Sequence, residues 1–386
     1  MLGLLVAVMG CGGDVSEATD DLVDVVDVAD DADDADVAPA SDTAVDSLAG
    51  DAAPDTGAPV DTAAADTADT AVEDTAEDAD DAADVEVAAT DVLDVADAEI
   101  AEDTAGDTTS TWSPPEPVGC LTTVEPGHHL LSCEGGLLYD VEIPEACTSA
   151  PCGLIVDIHG WTMSAASQNA NTDMRARGRE RGYVVVQPTA SLFLGTPTWG
   201  LDADAPRVHA FVLDTLEALR IDPKRVHVMG FSQGGGMTWR LLCTHPEVYA
   251  SAAPIGPITG CSFEGDQAPA DEVDILDVHG RHDVVVSYDG TGRPQVDAAV
   301  AYWPFGAGVV VEEDADYTVT RWTTPSGTVL EHWAHDYEAM SLVLRGHCFP
   351  GSPQQIAFPV AFGCADSGTF EYAALALAFF EAHPKD

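Results

Sequence analysis

Five runs of apolar, mostly β-branched residues constrain this chain more than anything else in it: Gly153–His159, Tyr183–Gln187, Arg225–Gly230, Ala250–Ile255 and Val273–His279. They are continuous rather than alternating, so each reads as a strand buried on both faces. Between them lie stretches with helical spacing. "HAFVLDTLEALR" (209–220) places Phe211, Leu213, Leu216 and Leu219 near one face, and "GGMTWRLLCTHP" (235–246) stops at a proline. Strands alternating with helices predict an α/β protein: a mostly parallel central sheet with helices on both faces.

The residues before this region cannot join it. Positions 1–110 hold 33 Asp and Glu and no Lys or Arg, and the first basic residue of the chain is Arg175. Residues 12–110 are built largely from Asp, Ala, Thr, Val and Glu, with like charges repelling and nothing aromatic to bury. Such a segment reads as a disordered acidic linker, a solvated spacer with a tether or a weak Ca²⁺-binding brush as the functional alternatives. Residues 1–11, MLGLLVAVMGC, look like a lipoprotein signal in which Cys11 takes the lipid, although a positive n-region is missing. The folded part is then 111–386, where 35 acids face 14 bases. No cationic surface for nucleic acid can be assembled from that inventory, and membrane attachment is expected only through the N-terminal anchor.

Beyond Cys11, eight cysteines remain: Cys120, Cys133, Cys147, Cys152, Cys243, Cys261, Cys348 and Cys364. An even set in an exported chain predicts disulfides, although eight cysteines allow 105 connectivities. Pairing of sequence neighbours is the simplest of them. None has the CxxC spacing of a zinc site, so neither a structural metal nor a cofactor is expected. A monomer, outside the cell or on a bacterial cell surface, is the matching expectation.

The chemistry concentrates at "HVMGFSQGGGM" (227–237), where Gly230-Phe231-Ser232-Gln233-Gly234 follows a strand and precedes a helix. G-x-S-x-G in that context is a nucleophile elbow. A serine hydroxyl needs a base within reach and an acid to orient that base, in the chain order Ser, acid, His. "ILDVHGRHDVVV" offers Asp283 in the loop after a late strand; Asp277 sits within the strand pattern, and Asp289 is a second choice. "MSLVLRGHCFPG" offers His347 in a Gly- and Pro-bounded loop. His332 and His335 read as surface or packing residues, and His128, His129 and His383 lie outside any motif. Donors for the developing oxyanion are expected from the N–H of Gln233 and from the loop after "IVDIHGWT", through Trp161 and Thr162, with His159 stabilising that loop. Trp161 and Trp199 could form an aromatic wall for the substrate, whereas Trp322 and Trp333 read as core.

"LIVDIHGWTMSA", "IDPKRVHVMGFSQGGGMTWRLLCTHPEVYASAAPIG", "DVHGRHDVVV" and "RGHCFPGS" together resemble the secreted esterase family of poly(3-hydroxybutyrate) depolymerases, feruloyl esterases and acetylxylan esterases. The resemblance covers most of residues 150–380. It implies an α/β-hydrolase fold and hydrolysis of carboxylic esters through an acyl-enzyme. It carries a catalytic triad onto Ser232, Asp283 and His347, and an oxyanion hole onto the amides of Trp161 and Gln233. Ester groups of plant polysaccharides are then the leading expectation for the substrate. A polyhydroxybutyrate depolymerase, or a silent hydrolase-like domain used for surface binding, is the alternative.

Overall fold

The structure is a computed structural model that describes residues 113–133, 135–265, 268–353, 362–365 and 370–385. The expected signal, lipidation at Cys11 and the acidic linker lie outside the described residues.

Ten strands form one sheet: β1 (Gly127–Ser132), β2 (Leu138–Ile143), β3 (Gly153–Ile158), β4 (Tyr183–Thr189), β5 (Val226–Phe231), β6 (Ser251–Ile255), β7 (Asp274–Gly280), β8 (Val309–Glu313), β9 (Tyr317–Thr323) and β10 (Val329–His335). Their order is β1-β2-β4-β3-β5-β6-β7-β10-β9-β8. The six strands β4, β3, β5, β6, β7 and β10 run parallel, while β1–β2 and β9–β8 add antiparallel margins. The five apolar runs of the sequence are β3 to β7. They are central because every residue of β3, β5 and β6 is buried, which a one-faced strand could not satisfy.

Alternate side chains feed two separate cores. Leu154, Val156, Val184, Val186, Val226 and Val228 pack against α3 (Leu201–Ala218), α4 (Gln233–Thr244) and α5 (Arg293–Tyr302). Ile155, Val185, Met229, Phe231 and Val278 point the other way, to Met174 of α2 (Met174–Glu180) and to α6 (Tyr372–Ala382). A short α1 (Ala165–Thr172) precedes α2 and starts with a reciprocal Ser164–Ser167 capping box. The result is the three-layered α/β-hydrolase fold.

The antiparallel margins left little trace in the sequence. β9, YTVTRWT, alternates buried and more exposed residues, and β8 is exposed throughout. β8 is one of the two edge strands of the sheet, with β1 the other; its pairing with β9 is interrupted by a bulge between Val310 and Glu312. Trp322 and Trp333 are core residues, as read from the sequence. Of the two readings left open for His332 and His335, packing holds: both are buried on β10, His332 against Asp277 and Tyr288 and His335 against Tyr337. α3 begins eight residues before the helical spacing becomes evident, with Pro206 inside it. Its first turn is held by the Asp204 carboxylate, which accepts the Gly200 N–H at 2.8 Å.

Neighbouring cysteines pair throughout: Cys120–Cys133, Cys147–Cys152, Cys243–Cys261 and Cys348–Cys364.

Candidate active site

β5 ends at Phe231 and α4 begins at Gln233, so one residue must turn the chain from strand to helix. That residue is Ser232, at φ 56° and ψ −115°, a conformation side-chain-bearing residues seldom adopt. The turn closes only because its neighbours lack side chains. A Cβ on Gly234 would lie 2.1 Å from the Ile158 carbonyl oxygen, and one on Gly230 would lie 2.5 Å from that of Gly234. The Ser232 N–H donates to the Ile255 carbonyl at 2.9 Å, tying the elbow to β6.

Asp283 follows the end of β7. Its Oδ1 accepts the N–H groups of Val285 and Val286 at 2.8 and 2.7 Å. Its Oδ2 takes the Nδ1 of His347 at 2.6 Å. A second histidine, His279, stands behind the same oxygen with Nε2 at 3.4 Å, while donating to the Val286 carbonyl at 2.9 Å. Burial opposes ionisation of Asp283, but its bonds to His279 and His347 outweigh it and hold the carboxyl well below the usual range. Asp289 is exposed in the 288–292 turn, and Asp277 bonds His332 at 2.8 Å instead.

His347 is brought to Asp283 by the turn before it. Its own N–H donates to Leu344, and Gly346 runs so close to the Asp283 amide that a Cβ there would sit 2.6 Å from the nitrogen. The imidazole packs against Phe231, the residue before the serine, with ring centroids 4.5 Å apart. With Nδ1–H given to a carboxylate, the neutral ring keeps its lone pair on Nε2.

On the other side of the elbow, β3 ends in His159-Gly160. His159 is buried and neutral: burial pushes its pKa down to about 4. Its Nδ1–H donates to the Gly160 carbonyl at 2.7 Å, and its Nε2 accepts the Ala190 N–H at 3.0 Å. The Thr162 amide is taken by the Pro197 carbonyl at 3.1 Å, and among the described residues the Trp161 amide donates to none. Gln233 is the first residue of α4, so its N–H has no acceptor within the helix. Trp161 is half exposed, whereas Trp199 is 3% exposed, so only Trp161 offers a ring to a ligand. Trp199 is occupied otherwise, its indole donating to the His159 carbonyl at 2.8 Å.

Two features were invisible in the sequence. One is His279, whose place behind Asp283 depends on how the 281–286 loop folds back. The other is the Gln233 side chain, which accepts the Trp199 N–H and donates to the Trp199 carbonyl, both at 2.9 Å.

No family model matches the chain. Sequence relatives are more informative. The chain is 28% identical over 158 residues to the bifunctional acetylxylan esterase/xylanase XynS20E of Neocallimastix patriciarum, covering 40% of this chain and 23% of that protein. It is 28% identical over 137 residues to feruloyl esterase B of Neurospora crassa, 32% of this chain and 44% of the relative. It is 34% identical over 112 residues to poly(3-hydroxyalkanoate) depolymerase C of Paucimonas lemoignei, 26% of this chain and 27% of the relative. Over these stretches the chain is similar to esterases. It spans under half the length of each of these three relatives. Among solved structures, an acetyl xylan esterase from Aspergillus awamori aligns with a TM-score of 0.44 at 16% identity, over 54% of this chain and 92% of that one.

Proposed function

We propose that this chain is a serine carboxylic-ester hydrolase that works through an acyl-enzyme. The observation carrying the reading is the 2.6 Å bond between His347 Nδ1 and Asp283 Oδ2, beside a serine held at positive φ on a glycine-bounded elbow. In this reading Ser232 Oγ attacks the ester carbonyl carbon while His347 Nε2 takes its proton. Asp283 stays ionised, fixes the ring and stabilises the imidazolium. The N–H groups of Trp161 and Gln233 receive the negative charge that develops on the carbonyl oxygen. His347 then returns the proton to the departing alcohol, and water attacks the acyl-Ser232 ester with His347 again as base.

Four disulfides support export, because such bonds persist in oxidising compartments. A lipid on Cys11, with residues 12–110 as an acidic spacer, would hold a monomeric 111–386 domain at a bacterial surface. The names of the relatives make acetyl and feruloyl esters of plant polysaccharides the first substrates to test, and a polyester the second reading.

The test is hydrolysis of methyl ferulate and 4-nitrophenyl acetate by the full chain and by Ser232→Ala. Turnover abolished by the substitution is the expected result. Equal turnover in the variant refutes the serine mechanism, and no turnover of any ester by wild type returns the chain to the surface-binding alternative.

A further inference from the structure

Two imidazoles address one carboxylate oxygen. Asp283 Oδ2 takes His347 Nδ1 at 2.6 Å and faces His279 Nε2 at 3.4 Å. A triad needs only the first of these. His279 lies on β7, four residues before Asp283, and is fully buried, where a polar ring is costly unless it is used. The chain also makes room for it. Gly292 approaches so closely that a Cβ there would come within 2.0 Å of His279 Nδ1. The backbone of Gly292 is helical, at φ −64° and ψ −58°, so its missing side chain answers to the histidine and not to the turn.

The hydrogen bonds fix which nitrogen of His279 carries a proton. Nε2 meets the Val286 carbonyl at 2.9 Å, and a carbonyl only accepts, so Nε2 bears hydrogen. The Val286 N–H in turn donates to Asp283 Oδ1 at 2.7 Å. A ring of contacts results: His279 holds the Val286 carbonyl, the Val286 amide holds one oxygen of Asp283, and the other oxygen lies beside the same Nε2–H. The remaining charged and titratable groups around this cluster have other partners. Asp277 bonds His332 at 2.8 Å, and His332 meets the Tyr288 hydroxyl at 3.0 Å. Tyr288 turns its ring edge to His279. Arg281 pairs with Asp336 and Arg293 with Asp297. His335, on the neighbouring β10, is kept neutral by burial. Burial also opposes a charge on His279, but the Asp283 carboxylate outweighs it and raises its pKa above the ordinary histidine value.

We propose that His279 is a positioning residue for the candidate triad. Its Nε2–H pins the loop that carries Asp283 and sets positive charge beside Oδ2, which weakens the hold of that carboxylate on a protonated His347. The inference rests on the serine-esterase reading and adds a residue to its machinery. Its sign is the same whether His279 carries one proton or two. In either state, removing the ring takes positive charge away from the Asp283–His347 pair, so the pair holds its shared proton to higher pH.

The experiment measures kcat and KM for 4-nitrophenyl acetate from about pH 5 to about pH 9, with the full chain as wild type, His279→Leu and His279→Gln. Leucine fills the space without a donor, and glutamine returns an N–H. In His279→Leu the acid limb of kcat/KM, which reports the base, is expected to move up by on the order of half a pH unit to one unit. Its plateau kcat is expected to fall by about tenfold or more at nearly constant KM, because Asp283 is no longer pinned. His279→Gln is expected to hold the limb near its wild-type position. A purely structural ring would lower the melting temperature without moving the limb. A limb that coincides with wild type in folded His279→Leu, or that moves equally in both variants, overturns the inference. Wild type supplies a test that needs no leucine variant to fold. In long-range ¹H–¹⁵N correlation spectra of the histidine-labelled full chain, with His279 assigned by its absence from His279→Gln, Nε2 is expected to carry a proton. A bare Nε2 overturns the inference. Failure of the esterase reading itself looks different, because wild type would then turn over no ester.

Discussion

Asp283→Asn separates the chemistry of the site from its stability, because the local hydrogen bonding dictates how the new side chain must sit. Oδ1 receives two backbone N–H groups, from Val285 and Val286. An amide nitrogen in that position would face two donors, so the Asn carbonyl oxygen stays there and its NH₂ replaces Oδ2. That NH₂ then donates to His347 Nδ1, which moves the ring proton to Nε2 and leaves no lone pair toward Ser232. The negative charge that would stabilise the imidazolium is lost as well. The same substitution in a serine protease triad lowers kcat by about four orders of magnitude, or about 5.5 kcal/mol of transition-state stabilisation, and that is the size expected here. Stability should fall by less than in an alanine variant, since both backbone donors remain satisfied and only the carboxylate's charge is lost. Asp283→Ala, in contrast, strands them at a cost of about 1–3 kcal/mol each. The assay is turnover of 4-nitrophenyl acetate near pH 8, with melting followed by circular dichroism on the same samples. Asp283→Asn that stays folded at the assay temperature yet retains more than about a tenth of the wild-type kcat would refute the assignment of Asp283 as the orienting acid.

Gly234→Ala places a methyl 2.1 Å from the Ile158 carbonyl, against backbone that cannot move aside. It should destabilise by about 3 kcal/mol or more, and an unchanged urea midpoint would contradict the packing of the elbow. Burial pushes His335 and His227 down to about 3 and His159 to about 4, so the folded protein keeps them neutral in mild acid. The unfolded chain protonates the same groups near pH 6.5, as histidines in open chains do, and binds more protons below that value. Stability is therefore expected to fall as pH drops from about 6.5 toward about 4, with Asp283, whose folded value is depressed, adding its own loss at still lower pH. Urea midpoints measured from pH 7.5 to 4.5 check this; a flat profile refutes it.

The parts of the site readable from the sequence are those encoded by local rules. Ser232 is announced by glycines that only a close strand-to-helix turn requires, and β3 to β7 by apolar runs that only full burial rewards. Asp283 and His347 were readable as positions because each follows a strand and sits among turn residues. What could not be read depends on distance across the chain. His279 matters because Asp283 returns to it, and His335 is buried because β10 lies inside the sheet, with Tyr337 and Phe370 packed against its ring. Trp199 looked like a wall residue by type, yet its indole is spent on the His159 carbonyl. The start of α3 could not be read because residues 201–208 carry little apolar spacing; Asp204 holds that first turn through the Gly200 N–H.

The sheet closes at neither end, and the margin at β8 is the more exposed one. Val309, Val310 and Val311 stand in solvent there, a sequence with the makings of a template for another extended chain. What discourages recruitment is the bulge that spoils a straight hydrogen-bonding rail, followed by Glu312, Glu313 and Asp314. Acid protonation would strip away half of that guard while leaving the valines in place. The carboxylates beside β8 thus oppose edge-to-edge pairing at neutral pH, a duty separate from anything the candidate site performs.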